Sequence, residues 1–355
     1  MTTAFPLLRL PYLVLMPILE QMEFMDRISL SVLSKRARMF LKLLKMKCEH
    51  ISLELKYGTI EMEVFRDNFE VFKLELYMSG HVKFKNRQDA FLWSTMGVPP
   101  MDYAVSIMNV MHCKSIHQFT IAKISVECNI LPLLVNLPKI DKVVVHSDLY
   151  DVSPVKSRLY KVLRTVLPVS SAVRFPYDVL NPKELGEIFK GNFDSVTVIL
   201  KDYDDDMPNY NMFSLYDLRR TNTKTLEVVG EVVKVEDVNR YFKLWMKKKC
   251  NPRLEYLQVA TRRRLGSEVI NLLLKELNAV QVPIETERTF RVLGNVNKFI
   301  PEDSYEKVSV EFDITRVDGR TATIRILNYT KVLFYVWPES TNNTTSLEPK
   351  SSVMA

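Results

Sequence analysis

The sequence predicts a mixed α/β protein, in which an N-terminal three-helix unit precedes an irregular array of strand–helix repeats that ends in a β-hairpin. Three observations carry that prediction. The stretch from Phe5 to Leu44 has helical spacing and more apolar residues than a unit of about forty residues can hide in its own core. From Glu49 the pattern changes to the period-two alternation of half-buried strands. From Ile116 onward strand-like and helix-like segments alternate, and the strand starts recur at roughly 24 to 32 residues.

Composition sets the outer bounds. With 355 residues, 47% hydrophobic and 26% charged, the chain has the make-up of a soluble globular protein with room for two or three compact units. The net charge of +7 permits acidic partners without requiring them. The most apolar segment, Phe5 to Leu19, is interrupted by Pro6, Arg9, Pro11 and Pro17 and has no basic flank on its N-terminal side. That argues against both a membrane span and a secretory signal. Cys48, Cys113, Cys128 and Cys250 are scattered without CxxC spacing, so neither a disulfide framework nor a zinc site is expected, and the cytosol or nucleus is the expected compartment. The 9 glycines leave little room for phosphate-cradling loops.

Taken in order, Leu10-Pro11 opens the first helix, where proline is tolerated because its missing N–H would have no helical partner. Leu13, Val14, Ile18 and Leu19 fall on one broad apolar face, and Pro17 is expected to kink or split the segment. Asp26 is the expected N-cap of the second helix, Arg27 to Leu33, and Ser34 that of the third, Lys35 to Lys47. The plain alternative is a helical hairpin packed on its own domain.

LPYLVLMPIL followed by MDRISLSVLSKRARMF resembles an F-box, with Leu10-Pro11, Ile18-Leu19, Ser29-Leu30 and Leu33-Ser34-Lys35-Arg36 at the family's offsets. The resemblance implies docking onto a Skp-family linker protein through Leu10, Pro11, Val14, Ile18, Leu19, Leu30 and Leu33, and through the linker onto the cullin and RING subunits of a ubiquitin ligase. Pro17 and Ala37 depart from the commonest pattern, which implies a weaker linker contact.

Beyond the helices, Ile51, Leu53 and Leu55, then Met62 and Val64, then Val71, Phe72, Leu74 and Leu76 read as strands. Asp89–Met96 and Asp102–Met111 read as helices about the loop Gly97-Val98-Pro99-Pro100. Strands follow at Ile116–Ile121, Ile140–His146, Ala172–Phe175, Val196–Leu200, Leu226–Val229 and Leu254–Val259. The interleaved helices are Lys156–Leu167, Lys183–Lys190, Tyr210–Arg220, Val235–Lys249 and Ser267–Leu277. Each unit is too small to bury its own face and must stack on its neighbours, so an irregular leucine-rich-repeat-like array is favoured over a doubly wound sheet.

In VEDVNRYFKLWMKKKCNPRLEYLQV, Val238, Tyr241, Phe242 and Trp245 share a helical face, and lysines crowd the C-terminus, where cations suit the helix dipole. In EFDITRVDGRTATIRI, Asp318-Gly319 marks a hairpin turn of the type with positive φ at both central residues. Together these segments are similar to the F-box-associated domain, type 2, found in a large nematode family behind an F-box. The expected division is an F-box over 5–48, an F-box-associated substrate-binding domain over 49–337 that is clearest over 226–337, and a polar, disordered tail over 338–355.

Other features have plainer readings. His112, Cys113 and His117 lack the second pair of ligands that a zinc site needs, and Asp202 to Asp206 lacks the glycine and terminal glutamate of a calcium loop. Asn342-Asn343-Thr344 matches a glycosylation acceptor but has no secretory context. No metal or other cofactor is expected, and no catalytic motif is present. Lys247, Lys248 and Lys249 with Arg262, Arg263 and Arg264 read first as solvated ends of repeat elements, and second as a site for an acidic or phosphorylated segment of a target. The expected function is therefore that of a non-catalytic substrate-recognition subunit of a Skp-cullin-F-box ubiquitin ligase, with an unidentified target protein and no membrane partner. The alternative is a scaffold that binds nucleic acid or an acidic protein through that basic patch. Nucleic acid ranks below protein because the aromatic residues nearby belong to a core face.

Overall fold

The computed structural model describes residues 7–66, 69–77, 81–85, 90–94, 99–125, 127, 129–146, 153–200, 213–261, 266–283, 288–293, 295–299, 308–327 and 331–338. The chain forms two compact units, Met1–Met212 with Arg220–Gly230, and Phe213–Arg219 with Glu231–Ala355. No helix among the described residues is long and apolar enough to cross a membrane.

The first unit begins with α1 (Tyr12–Gln21), α2 (Phe24–Leu33) and α3 (Lys35–Leu43). Pro17 lies inside α1 without dividing it. The carbonyl that loses its i+4 donor is that of Leu13, whose side chain is 84% exposed, so water is at hand to replace the bond. Arg27 closes the other end of α1, donating from Nε to Met22 O (2.8 Å) and from Nη2 to Glu20 O (3.2 Å), where a cation also suits the dipole. The second helix starts earlier than expected. Glu23 is its N-cap without a side-chain bond, and Asp26 stands in the first turn. Ser34 caps α3 as expected, accepting from the Ala37 N–H at 3.2 Å.

Then follow β1 (His50–Lys56), β2 (Thr59–Arg66), β3 (Phe69–Tyr77), β4 (His81–Lys85), β5 (Ala90–Ser94), α4 (Pro100–Val110), β6 (Ile116–Lys123), β7 (Ile140–Val145), α5 (Ser153–Val166), β8 (Ser170–Pro176), α6 (Pro182–Phe189), β9 (Ser195–Ile199) and the start of β10 (Thr225–Val233). The helix expected over Asp89–Met96 is instead β5, paired antiparallel to β4, because an exposed edge beside β4 offers its backbone ladder partners. The strand order is β10-β9-β8-β7-β6-β1-β2-β3-β4-β5. Strands β6 to β10 are parallel neighbours in chain order, as stacked strand–helix units require, and β1 to β5 extend them as an antiparallel meander. One sheet face carries the apolar residues and meets helices, with Phe24 of α2 6.0 Å from Phe72 and Phe189 of α6 6.1 Å from Phe175. The register aligns Glu54, Thr120, Val144, Arg174, Thr197 and Glu227 across the opposite face. Gly230, at φ 117, lets β10 pass Leu200, whose Cβ and carbonyl oxygen would each lie 2.9 Å from an added Cβ.

The second unit contains α7 (Leu215–Arg220, to Arg219), α8 (Val235–Met246), β11 (Tyr256–Thr261), α9 (Ser267–Leu274), β12 (Val280–Val282), the hairpin β13 (Arg288–Val292) and β14 (Asn295–Phe299), β15 (Val308–Thr315), β16 (Thr321–Leu327) and β17 (Lys331–Val336). Its strand order is β12-β15-β16-β17-β11. Phe242 and Trp245 of α8 pack on Phe334 of β17, the tryptophan edge-on at 5.1 Å. Asn239 ties α8 to α9 by donating to Leu273 O and Lys275 O, carbonyls that the end of a helix leaves open.

Candidate functional site

The N-terminal helices divide their apolar residues between an inner and an outer set. Leu15, Leu19, Ile28, Val32, Ala37 and Leu41 are buried and make up the inner set. Leu19 is fully buried, so its side chain lies off the outer surface on which the other expected docking residues stand. Ala37 is also fully buried, so its small size serves close approach of the helices and does not weaken an outer contact. The outer set contains Pro11 and Val14, Leu33 at 69% exposure, and the half-buried Leu10, Ile18 and Leu30. Leu13, Tyr12, Met39 and Leu43 join it, although the sequence reading had not chosen them as contacts. Tyr12 links the outer residues of α1 to α3, its ring centroid 6.2 Å from that of Phe40. Helical periodicity could have found Leu13 and Leu43, but the apolar stripe is broad enough that spacing alone does not separate inward from outward positions.

This unit is anchored from below. Helices α2 and α3 pack on α4, the Arg38 Nε donates to Ser31 O at 3.0 Å, and His112 Nε2 lies 2.9 Å from Lys42 O. His112 occupies the left-handed position after α4 (φ 56), and the Cys113 N–H closes the helix on Met108 O at 3.0 Å. Cys113 stands beside Cys48, and His117 lies 4.9 Å from the ring of His50, which stacks on Phe65. His112, Cys113 and His117 are therefore turned to separate partners and do not converge.

At the other end of the sequence, Lys247 and Lys249 are exposed, and Lys248 is engaged by Asp318 at 2.6 Å. Lys248 has φ 57, and its N–H donates to Trp245 O (3.0 Å) while that of Lys249 donates to Leu244 O (2.9 Å). These two bonds finish α8, so the lysine run is first of all a helix terminus. Arg262, Arg263 and Arg264 lie outside the described residues, as do Asp202–Asp206 and the tail from residue 339.

The turn at Asp318-Gly319 differs from expectation. Only Gly319 has positive φ (87°), the Gly319 N–H donates to Arg316 O (2.9 Å), and the Arg316 N–H donates to Arg320 O (2.8 Å). This is a three-residue loop with glycine at the left-handed position. Asp318 is committed inside it, taking the Arg316 guanidinium with both carboxylate oxygens at 2.9 Å each. Arg316 and Lys248 hold the Asp318 carboxyl well below the usual carboxylate range.

One carboxylate group escaped the sequence reading. Glu54, Glu61 and Glu63 bring oxygens within 4.8 Å of one another on the polar face of β1 and β2, with Glu63 already paired to Lys73 at 2.5 Å. Strand alternation showed their common face, but the register that sets Glu54 opposite Glu61 needs the structure.

Family comparison matches two stretches of the chain. Residues 7–49 match the F-box domain, and residues 184–259 match the F-box-associated domain. The first match covers α1 to α3. The second starts earlier than the sequence resemblance, at α6, and ends in β11, short of the β15–β16 hairpin. Neither a curated protein nor a solved structure matches the chain.

Proposed function

We propose that this chain, in which an F-box domain precedes an F-box-associated domain, is the substrate-recognition subunit of a Skp-cullin-F-box ubiquitin ligase and performs no chemistry itself. The observation that carries the reading is the outer apolar set of the first three helices. Leu13, Leu33, Met39 and Val14, with Pro11 beside them, are large apolar groups left in water by helices whose own core is complete. A Skp-family linker groove is the partner such a domain takes, with Leu10, Ile18 and Leu30 at its margin. Leu19 acts from within.

The mechanism is proximity. A target held by the strand–helix region shares one scaffold with the ubiquitin donor, which raises its effective concentration and replaces a bimolecular encounter with an intramolecular one. On the target side, Lys247 and Lys249 offer an exposed basic end for an acidic segment. The use of Lys248 in the helix terminus and the ion pair argues against a lysine run built for nucleic acid.

The test is co-purification of a Skp-family linker with the full chain, comparing wild type with Leu13→Asp/Leu33→Asp. Loss of the linker by a variant that keeps its circular-dichroism spectrum and melting temperature supports the reading. Equal recovery of the linker overturns it.

A further inference from the structure

Four basic side chains meet around one cleft in the first unit. The cleft holds about 770 Å³, a volume within the range of small-ligand sites, and lies where the N-terminal helices reach the start of the sheet. Arg27 of α2, Lys45 and Lys47 of the link between α3 and β1, and Arg66 at the end of β2 line it. Against them stands a single lining carboxylate, that of Glu49. With Glu49 set against any one of the cations, three are left over. They come from three separate segments, so no run along the chain announces the group.

The backbone fixes where these charges stand. Arg27 donates from Nε to Met22 O (2.8 Å) and from Nη2 to Glu20 O (3.2 Å), so two neutral carbonyls hold the guanidinium without cancelling its charge. The link is pinned at both ends. Lys45, at φ 50, turns the chain out of α3 with its N–H on Lys42 O (3.4 Å), and the Glu49 N–H donates to Phe65 O at 2.8 Å. Between these points Met46 is buried, and Lys45 and Lys47 on either side of it are exposed. Part of the wall is apolar. Phe24, Leu44 and Met46 line the same cleft, and Phe24 packs on Phe72 with ring centroids 6.0 Å apart.

We propose that this cleft binds a small organic diphosphate. The cation excess calls for more than one negative charge, and lysine and arginine are the side chains that take phosphate oxygens. The apolar wall calls for a ligand with a body as well as a charge, so Phe24, Leu44 and Met46 take a ring or hydrocarbon chain while the cations take the diphosphate. This goes beyond recruitment of a target, and none of the lining residues belongs to the outer apolar set of the N-terminal helices. Because the cations come from the helices and the sheet alike, a bound diphosphate ties the two together and stabilises the folded chain by mass action.

The test titrates the full chain with ADP, geranyl diphosphate and inorganic pyrophosphate by isothermal calorimetry, at low salt and without divalent metal. At least one of the two organic diphosphates should bind at a single site, about tenfold tighter than inorganic pyrophosphate, and weaken as salt is raised. Preference for ADP assigns a ring-bearing ligand, and preference for geranyl diphosphate a chain-bearing one. Lys45→Glu/Lys47→Glu should weaken binding about tenfold. Amine acylation of the wild-type chain, read by peptide mass, locates the site even if that variant fails to fold. The ligand should protect Lys45 and Lys47 and leave Lys247 and Lys249 reactive. Absence of saturable binding, an affinity no better than that of inorganic pyrophosphate, or a folded charge-reversal variant that binds as the wild type does refutes the proposal. Protection of Lys247 and Lys249 in place of Lys45 and Lys47 does so as well.

Discussion

Lys248 Nζ lies 2.6 Å from the carboxylate of Asp318, joining the last turn of α8 to the loop between β15 and β16. The contact belongs to a larger junction. The Val317 N–H donates to Met246 O at 3.0 Å, and the Arg316 guanidinium, 5.3 Å from the centre of the Trp245 ring, grips Asp318 from the other side. The loop therefore caps α8 with backbone and side chains together.

The junction predicts an acid-sensitive contribution to stability. Arg316 and Lys248 hold the Asp318 carboxyl below its unfolded value. Its contribution is therefore present above about pH 4 and is lost as the pH falls through the depressed folded value. Thermal melts of wild type and Asp318→Asn should differ most at neutral pH, and the gap should begin to close only as the pH falls below about 4. A gap that stays constant or widens in acid would contradict the assignment.

Lys248 also predicts an inverted helix-propensity order. At φ 57 a side chain is strained and glycine is not. Lys248→Gly and Lys248→Ala lose the same ion pair, so comparing them isolates the backbone. Glycine should be the more stable by about 1 kcal/mol in urea denaturation, the reverse of the order in a helix interior.

The division of the N-terminal helices predicts opposite phenotypes for two neighbouring leucines. Leu13→Asp changes an exposed residue and should shift folding stability by less than about 1 kcal/mol while weakening linker binding at least tenfold in surface plasmon resonance. Leu19→Ala empties a fully buried site and should cost about 3 kcal/mol of stability, with linker binding per folded molecule preserved at low temperature.

Arg325 and Glu311 form a buried ion pair at 2.6 Å on adjacent strands, in register between β16 and β15. Removing one partner strands a buried charge, so Glu311→Ala should destabilise the second unit by about 3 kcal/mol. The paired replacement Arg325→Met/Glu311→Leu should recover much of that loss in a double-mutant cycle. Linker recovery should be unaffected by either, because the F-box helices belong to the first unit.

Local pattern along the chain specifies the mixed class, the three N-terminal helices with Ser34 as a cap, and the chain-order alternation of strands and helices. Each of these is written in local periodicity or in a side chain that satisfies a neighbouring backbone group. The tertiary structure alone decided that Ala90–Ser94 is a strand, because the ladder beside β4 supplies hydrogen-bond partners that a local window does not show. It also decided which leucines of the opening helices face out, since a broad apolar stripe is one pattern in sequence and two surfaces once Leu15, Leu19 and Ile28 are buried. The same holds for Asp318 beside Lys248. Spacing along a chain carries no information about residues that only packing brings into contact.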